Sequence, residues 1–189
     1  MVDASRALLA LLAAGRSERF GAEDKLAADF LGAPLARHAV TALEAVPFLA
    51  RVAIVSATAV DFPGYARIEN PAPEAGLSGS VRLAARAARE QGAAALVIAL
   101  ADMPRVTSAQ IYRLLDAARC ADAVIASSDG HRPSPPALFA AGRFAELEAL
   151  EGDAGARALI QGGQHVVTSP AELIDIDTPE DLERLRALV

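Results

Sequence analysis

Apolar residues along this chain fall into short unbroken runs, and between the runs they recur at helical spacing. Residues 7–12, 51–56 and 96–101 form sharply bounded runs, each predicting a strand buried on both faces. The run at 96–101 is the most apolar and belongs at the centre of a sheet. Shorter strands are expected at 66–69, 123–126, 137–139, 166–167 and 173–176. Helices are expected at 34–45, 80–91 and 143–150, after the N-cap Thr107 with Gln110 as its capping-box partner, and at 156–161 and 179–189. Gly92 stops the second helix. Alternating strands and helices predict an α/β fold: a doubly wound, mostly parallel, Rossmann-like sheet with helices on both faces. Residues 127–165 break the alternation and are expected to form a small subregion covering the site. No repeat, low-complexity tract or linker divides the chain, so residues 1–189 read as a single domain.

Composition narrows the function classes. The chain is 53% apolar with a net charge of -6 and a pI near 5.1, which argues against disorder and against a nucleic-acid polymer as partner. A local basic loop still binds a small anion, whatever the overall charge. The single cysteine, Cys120, excludes an internal disulfide and fits a reducing cytoplasm. No apolar run is long enough to span a membrane.

Candidate chemistry gathers beyond the carboxyl ends of the predicted strands, where open α/β sheets bind ligands. After the first strand, Leu12, Ala13, Ala14 and Gly15 lead into Arg16, Arg19, Gly21 and Lys25. Backbone N–H groups freed in such a loop suit an anion, and the basic residues add charge, so the stretch reads as a phosphate-binding loop for a nucleotide. It matches neither the Walker spacing nor G-x-G-x-x-G, which counts against a nicotinamide oxidoreductase. Asp102 stands at the end of the 96–101 strand, a sensible anchor for magnesium whose other ligands are phosphate oxygens; the alternative is a helix-start aspartate ahead of Pro104. Asp175 and Asp177 alternate with Ile174 and Ile176, so a strand there points both carboxylates to one face. Thr178 and Pro179 make a good helix start, which leaves Asp177 a structural alternative. In the loop before the second helix, Gly76, Ser78 and Ser80 let a flat ring approach, although either serine also serves as a helix cap. Arg82, Arg86 and Arg89 share one face of that helix, a stripe expected in solvent, with Arg82 near enough to the start to reach a ligand.

The string Leu12-Ala-Ala-Gly-Arg-Ser-x-Arg-Phe-Gly, followed by Asp24-Lys25-Leu26, resembles the opening signature of the molybdenum cofactor nucleotidyltransferase family. Its Ala-Ala-Gly is similar to the cytidylyl branch; the guanylyl branch tends to have Ala-Gly-Gly. Ala101-Asp-Met-Pro104 resembles the family's metal motif, which implies Asp102 as the Mg2+ ligand. Asp175-Ile-Asp-Thr-Pro-Glu-Asp181 looks like its closing motif, which implies an acidic residue returning to the metal, Asp177 ahead of Asp175. The stretch from Asn70 to Ser80 is similar to the part that lies against base and ribose. Gly152-Asp-Ala-Gly-Ala-Arg157 resembles a motif on the acceptor side, which implies acceptor binding by Asp153 and Arg157. One departure touches the acceptor: Ser134-Pro135-Pro136 stands where the family usually has Gly-His-Pro.

The resemblance runs from residue 7 to about residue 182. It implies a Mg-dependent transferase of the nucleotide-diphospho-sugar transferase type, moving CMP from CTP onto the terminal phosphate of a molybdopterin acceptor. It implies Arg16, Lys25 and Asp102 as the catalytic set and an apo-molybdoenzyme as a candidate recipient of the product. Guanylyl or other nucleotidyl transfer to a different phosphorylated acceptor, and a non-catalytic cofactor-binding accessory protein, stay open beside it.

Overall fold

A computed structural model describes residues 1–15, 20, 24–56, 58–152 and 154–188. Its strands are β1 (Ala7–Ala13), β2 (Asp29–Phe30), β3 (Ala33–Pro34), β4 (Ala50–Val55), β5 (Ala66–Glu69), β6 (Ala95–Leu100), β7 (Val124–Ser128), β8 (Pro133–Ala140) and β9 (Gln164–Val167). The helices are α1 (Leu35–Leu43), α2 (Leu77–Glu90), α3 (Ser108–Ala117), α4 (Phe144–Glu148), α5 (Arg157–Gly162) and α6 (Pro179–Arg186). Seven strands form one sheet in the order β5-β4-β1-β6-β8-β7-β9, and β2 and β3 form a separate hairpin. Within the large sheet only β8 runs antiparallel to its neighbours.

The side-chain alternation of β1 explains the two layers. Leu9 and Leu11 face a core completed by Ala39 and Leu43 of α1 and Ile111 and Leu114 of α3. Leu8 and Ala10 face the other core, with Val81 and Ala85 of α2, Phe144 of α4 and Ile160 of α5. A third cluster packs Phe30 and Leu35 against Ile176, Leu182 and Leu185, tying α6 to the β2–β3 hairpin. The central strands β1 and β6 are therefore buried on both faces, as their continuous apolar runs require, while the edge strands β5 and β9 are largely exposed.

The chain leaves β1 toward β4 and β5, then returns to place β6 on the other flank of β1. That reversal opens a crevice between the carboxyl ends of β1 and β6. Ala101 N donates to Leu12 O at 3.0 Å, so the two ends stay level where the crevice begins.

Several expectations need correction. Residues 173–176 make no strand among the described residues: Leu173 ends the 3-10 turn Pro170–Leu173, capped by Ser169, and the extended residues that follow reach Asp102 beyond the end of β6 through Ile176 N. Residues 127–165 form no separate subregion, since β7 and β8 extend the sheet itself, but they do border the site: Ser134, Phe139 and Arg157 wall the cavity beside it. α2 starts at Leu77, ahead of the expected 80, because Gly76 at φ 85 supplies a turn that L side chains rarely adopt. Neither Ser78 nor Ser80 caps it. Thr107 does cap α3, but Gln110 does not reciprocate: its side chain donates to Ser127 Oγ at 3.0 Å. The arginine stripe is not simply solvated, since Arg82 donates to Leu150 O at 2.8 Å and Arg89 pairs with Glu148 at 2.8 Å.

Candidate active site

Lys25 begins a one-turn 3-10 helix, Lys25–Ala27, whose N-cap Asp24 accepts from Leu26 N at 3.0 Å. Thr58 Oγ1 donates to the other oxygen of Asp24, and Leu26 is buried in the core. The backbone at Lys25 is thus held on three sides. Its side chain crosses the crevice and donates to Asp102 Oδ2 at 2.7 Å, Ile176 O at 3.0 Å and Asp177 Oδ1 at 3.3 Å.

Asp102 follows β6 with Ala101 between them, and its backbone oxygen accepts from Ile176 N at 3.0 Å. That single bond seats the extended segment before α6 against the sheet's carboxyl edge. Asp177 is carried in by the helix start. Thr178 Oγ1 accepts from Asp181 N, and Asp181 Oδ2 accepts from Thr178 N at 2.9 Å and from Asp177 N at 3.3 Å. The capping box orients α6 and the carboxylate beside it together.

The electrostatics follow from this enclosure. Burial pulls the Lys25 ammonium toward its neutral form, but the Asp102 and Asp177 carboxylates together outweigh it and hold its pKa above the usual lysine value. Asp175 lies at the edge of the same cluster. Burial first, then the charges of Asp102 and Asp177, push its carboxyl above the ordinary range. Asp102 Oδ1 is buried with no hydrogen-bond partner among the described residues. A buried carboxylate oxygen in that state is an open coordination position. Among the described residues, no three His, Cys, Asp or Glu side chains gather into a metal cage.

Beside the cluster lies a cavity of about 460 Å³, walled by Leu12, Val81, Leu100 and Phe139, with Ser134, Arg157 and Asp175 supplying polar groups. Leu77, the first residue of α2, closes one side.

Each residue named from the sequence has a place in this picture or lies outside the described residues. Arg16, with Arg19 and Gly21, lies outside them, and so does Asp153. Leu12, Ala13 and Ala14 are buried at the end of β1. A Cβ on Gly15 meets no described atom within 4 Å. Ser80 is buried, its Oγ accepting from Asn70 Nδ2 at 3.1 Å, and Ser78 is buried in the first turn of α2. Gly76 caps that helix, and Arg157 is exposed on the cavity wall. Lys25, Asp102 and Asp177 come together. Sequence reasoning missed the ammonium's position between the two carboxylates and the carbonyl of Ile176; the basic loop pointed only to phosphate.

This arrangement sets a lysine and two carboxylates at the switch point of a doubly wound sheet, where such folds bind ligands. Residues 9–168 match the MobA-like NTP transferase domain, and the chain belongs to that family. It is 34% identical over 119 residues to the purine catabolism protein PucB of Bacillus subtilis (strain 168), covering 60% of this chain and 57% of that relative's length. Among solved structures it is similar to the Mycobacterium tuberculosis rv0371c homolog from mycobacterium sp. strain JC1, with TM-score 0.82, 24% identity and coverage of 97% and 96% of the two chains. The M. tuberculosis protein itself, solved as a complex with manganese, matches with TM-score 0.77 and 21% identity over 97% of this chain and all of its own (100%). Molybdopterin-guanine dinucleotide biosynthesis protein A from Archaeoglobus fulgidus matches with TM-score 0.63 and 20% identity over 96% and 97% of the two chains. Among the described residues, no helix is long and apolar enough to cross a membrane.

Proposed function

We propose that this nucleotidyltransferase moves CMP from CTP onto the terminal phosphate of a molybdopterin-type acceptor, releasing pyrophosphate, with Mg2+ held by Asp102 and Asp177. The observation that carries the reading is the meeting of Lys25, Asp102 and Asp177 at the crevice between β1 and β6. The donor set fits the ion: two carboxylates, one with a buried oxygen in want of a partner, suit a hard cation that keeps phosphate oxygens as its remaining ligands. Such an ion, when bound, neutralises charge on the triphosphate and on the departing pyrophosphate.

The chain's own residues do the rest. The acceptor phosphate is ionised at neutral pH, so its oxygen attacks the α-phosphorus without a general base. One P–O bond forms there as the bond to the β-phosphate breaks, and the electron pair leaves with pyrophosphate. Leu12 and Ala13 end β1, the Ala14-Gly15 stretch after them offers backbone N–H groups, and Arg16 and Lys25 add positive charge along the phosphates. Gly76 stands on the side of the base, with Ser78 and Ser80 buried behind it in the first turn of α2.

The cavity bordered by Arg157 and Asp175 is the acceptor's seat: apolar walls suit a flat ring, and Arg157 meets its phosphate; Asp153 is assigned to the acceptor by its motif alone. Ser134 and Pro135 line that cavity, so the departure from Gly-His-Pro falls where the acceptor is recognised. The choice of cytidine rests on the Ala-Ala-Gly loop, and the choice of acceptor on the family match and the molybdopterin-related neighbour. A guanylyl transferase and a non-catalytic accessory protein are the competing readings. Calorimetry of CTP, GTP, UTP and ATP with Mg2+ decides the first. Preferred binding of CTP is expected, and preferred binding of GTP overturns the base assignment. Pyrophosphate release on adding the acceptor excludes the accessory reading.

A further inference from the structure

Lys25 spends all three ammonium protons inside the protein, on Asp102, Ile176 and Asp177. Those are the two carboxylates assigned above to the cation, so the inference rests on that reading. We infer that Lys25 is the resident counter-ion of the cation seat: it pairs with Asp102 and Asp177 while no nucleotide is bound, and it yields them to a divalent cation that arrives with a triphosphate, turning its own charge to the phosphates.

Three features of the site carry this. The Lys25 side chain is 8% exposed, and its ammonium lies 2.7 Å from Asp102 Oδ2, so a cation entering alone would face a buried like charge beside its carboxylates, in a crevice where water screens poorly. A triphosphate removes that obstacle, because it offers the ammonium a new anionic partner at the moment its carboxylates are taken. The backbone does not have to move for the exchange. Asp24 and Thr58 fix the turn, Leu26 anchors it in the core, and the flexible four-carbon stem of lysine does the swinging. Finally, Asp102 Oδ1 has no partner among the described residues, so an incoming ligand has a first foothold before Lys25 lets go of Oδ2.

The consequence is coupling. Cation and nucleotide bind together far better than the cation binds alone, and the site stays closed to metal ions that come without a nucleotide.

The experiment reads Mn2+ affinity by electron paramagnetic resonance, without turnover. In the wild type, a non-hydrolysable CTP analogue is expected to tighten Mn2+ binding by about tenfold or more, the ordinary size of coupling between two sites. In Lys25→Met, which keeps the length of the stem and loses the charge, Mn2+ alone is expected to bind about tenfold more tightly than to the wild type, and the coupling to the analogue shrinks. A lysine with a purely structural role gives the opposite sign, since its loss disorders the carboxylates and weakens Mn2+. Equal or weaker Mn2+ binding by Lys25→Met overturns the counter-ion assignment, as does an absence of coupling in the wild type, which keeps the test valid if the variant fails to fold. Neither result touches nucleotidyl transfer, which is read separately: wild-type protein releasing no pyrophosphate sinks the transfer reading while a tightened Mn2+ site in Lys25→Met still supports the counter-ion.

Discussion

Lys25 Nζ stands 2.7 Å from Asp102 Oδ2, although 77 positions separate the two residues in sequence. One comes from the turn after the first strand's loop, the other from the end of the central strand, and the reversal of strand order brings them face to face. Lys25 and the acidic end of β6 are therefore one electrostatic unit in this chain.

Loss of Lys25 is expected to be costly for the reaction. Lys25→Ala should lower kcat/KM for CTP on the order of a hundredfold or more, in line with the removal of a single charge-stabilising donor. Steady-state pyrophosphate release measures it, and an unchanged rate removes Lys25 from the machinery.

The capping box links the start of α6 to the site. Thr178→Ala removes the acceptor for Asp181 N and the hydroxyl that donates to Asp181 Oδ2. Urea unfolding should show a loss of about 1 kcal/mol, the usual worth of an N-cap. Because Asp181 also holds Asp177 N, the apparent Mg2+ requirement should rise as well. Loss of stability with an unchanged Mg2+ requirement would show that the cap and the carboxylate act independently.

Tyr65 gives a pH test remote from the site. Burial, opposed by Arg51 and reinforced by Glu44, lifts its phenol from 10.0 to about 12. The folded chain therefore keeps a proton that the unfolded chain releases first, and stability falls as pH rises from 10 to about 12. The hydroxyl is also buried without a partner among the described residues. Tyr65→Phe is expected to be more stable by up to about 1 kcal/mol at pH 7, since a buried unpaired hydroxyl is removed. Its advantage should widen between pH 10 and 12 in urea titrations. An advantage that shrinks over that range contradicts the assignment.

Gly155 shapes the cavity. It sits at φ +55, and a Cβ there lies 3.0 Å from Leu77 Cδ2, so Gly155→Ala strains the backbone and pushes Leu77. The expected effect is about 1 kcal/mol of stability and a higher KM for the acceptor with little change for CTP. A rise in the CTP KM alone would move the cavity to the nucleotide.

Much of this was legible in the sequence because local physics decides it. The runs at β1 and β6 are apolar on both sides, Thr178-Pro179 announces a helix, and Asp102 follows a strand end where ligands bind. β8 was only partly legible: Pro133, Pro135 and Pro136 argue against a strand, since proline cannot donate to a ladder. The fold admits them where the pairing with β7 shifts register between Ala126 and Ser127, and Ser127 Oγ donates to Pro136 O at 2.7 Å. The partners of Lys25 were not legible at all. A lysine in a basic loop signals an anion, and only the tertiary fold decides that the nearest anions are carboxylates of the protein itself.

The central claim is that Asp102 seats the cation through which CTP is turned over on a phosphorylated acceptor. Pyrophosphate release from CTP, followed with molybdopterin and Mg2+ for the wild type and for Asp102→Ala at matched far-ultraviolet circular dichroism, tests it most directly. The account predicts acceptor-dependent release by the wild type and none by a folded Asp102→Ala. Near-normal, Mg2+-dependent release by Asp102→Ala would contradict it.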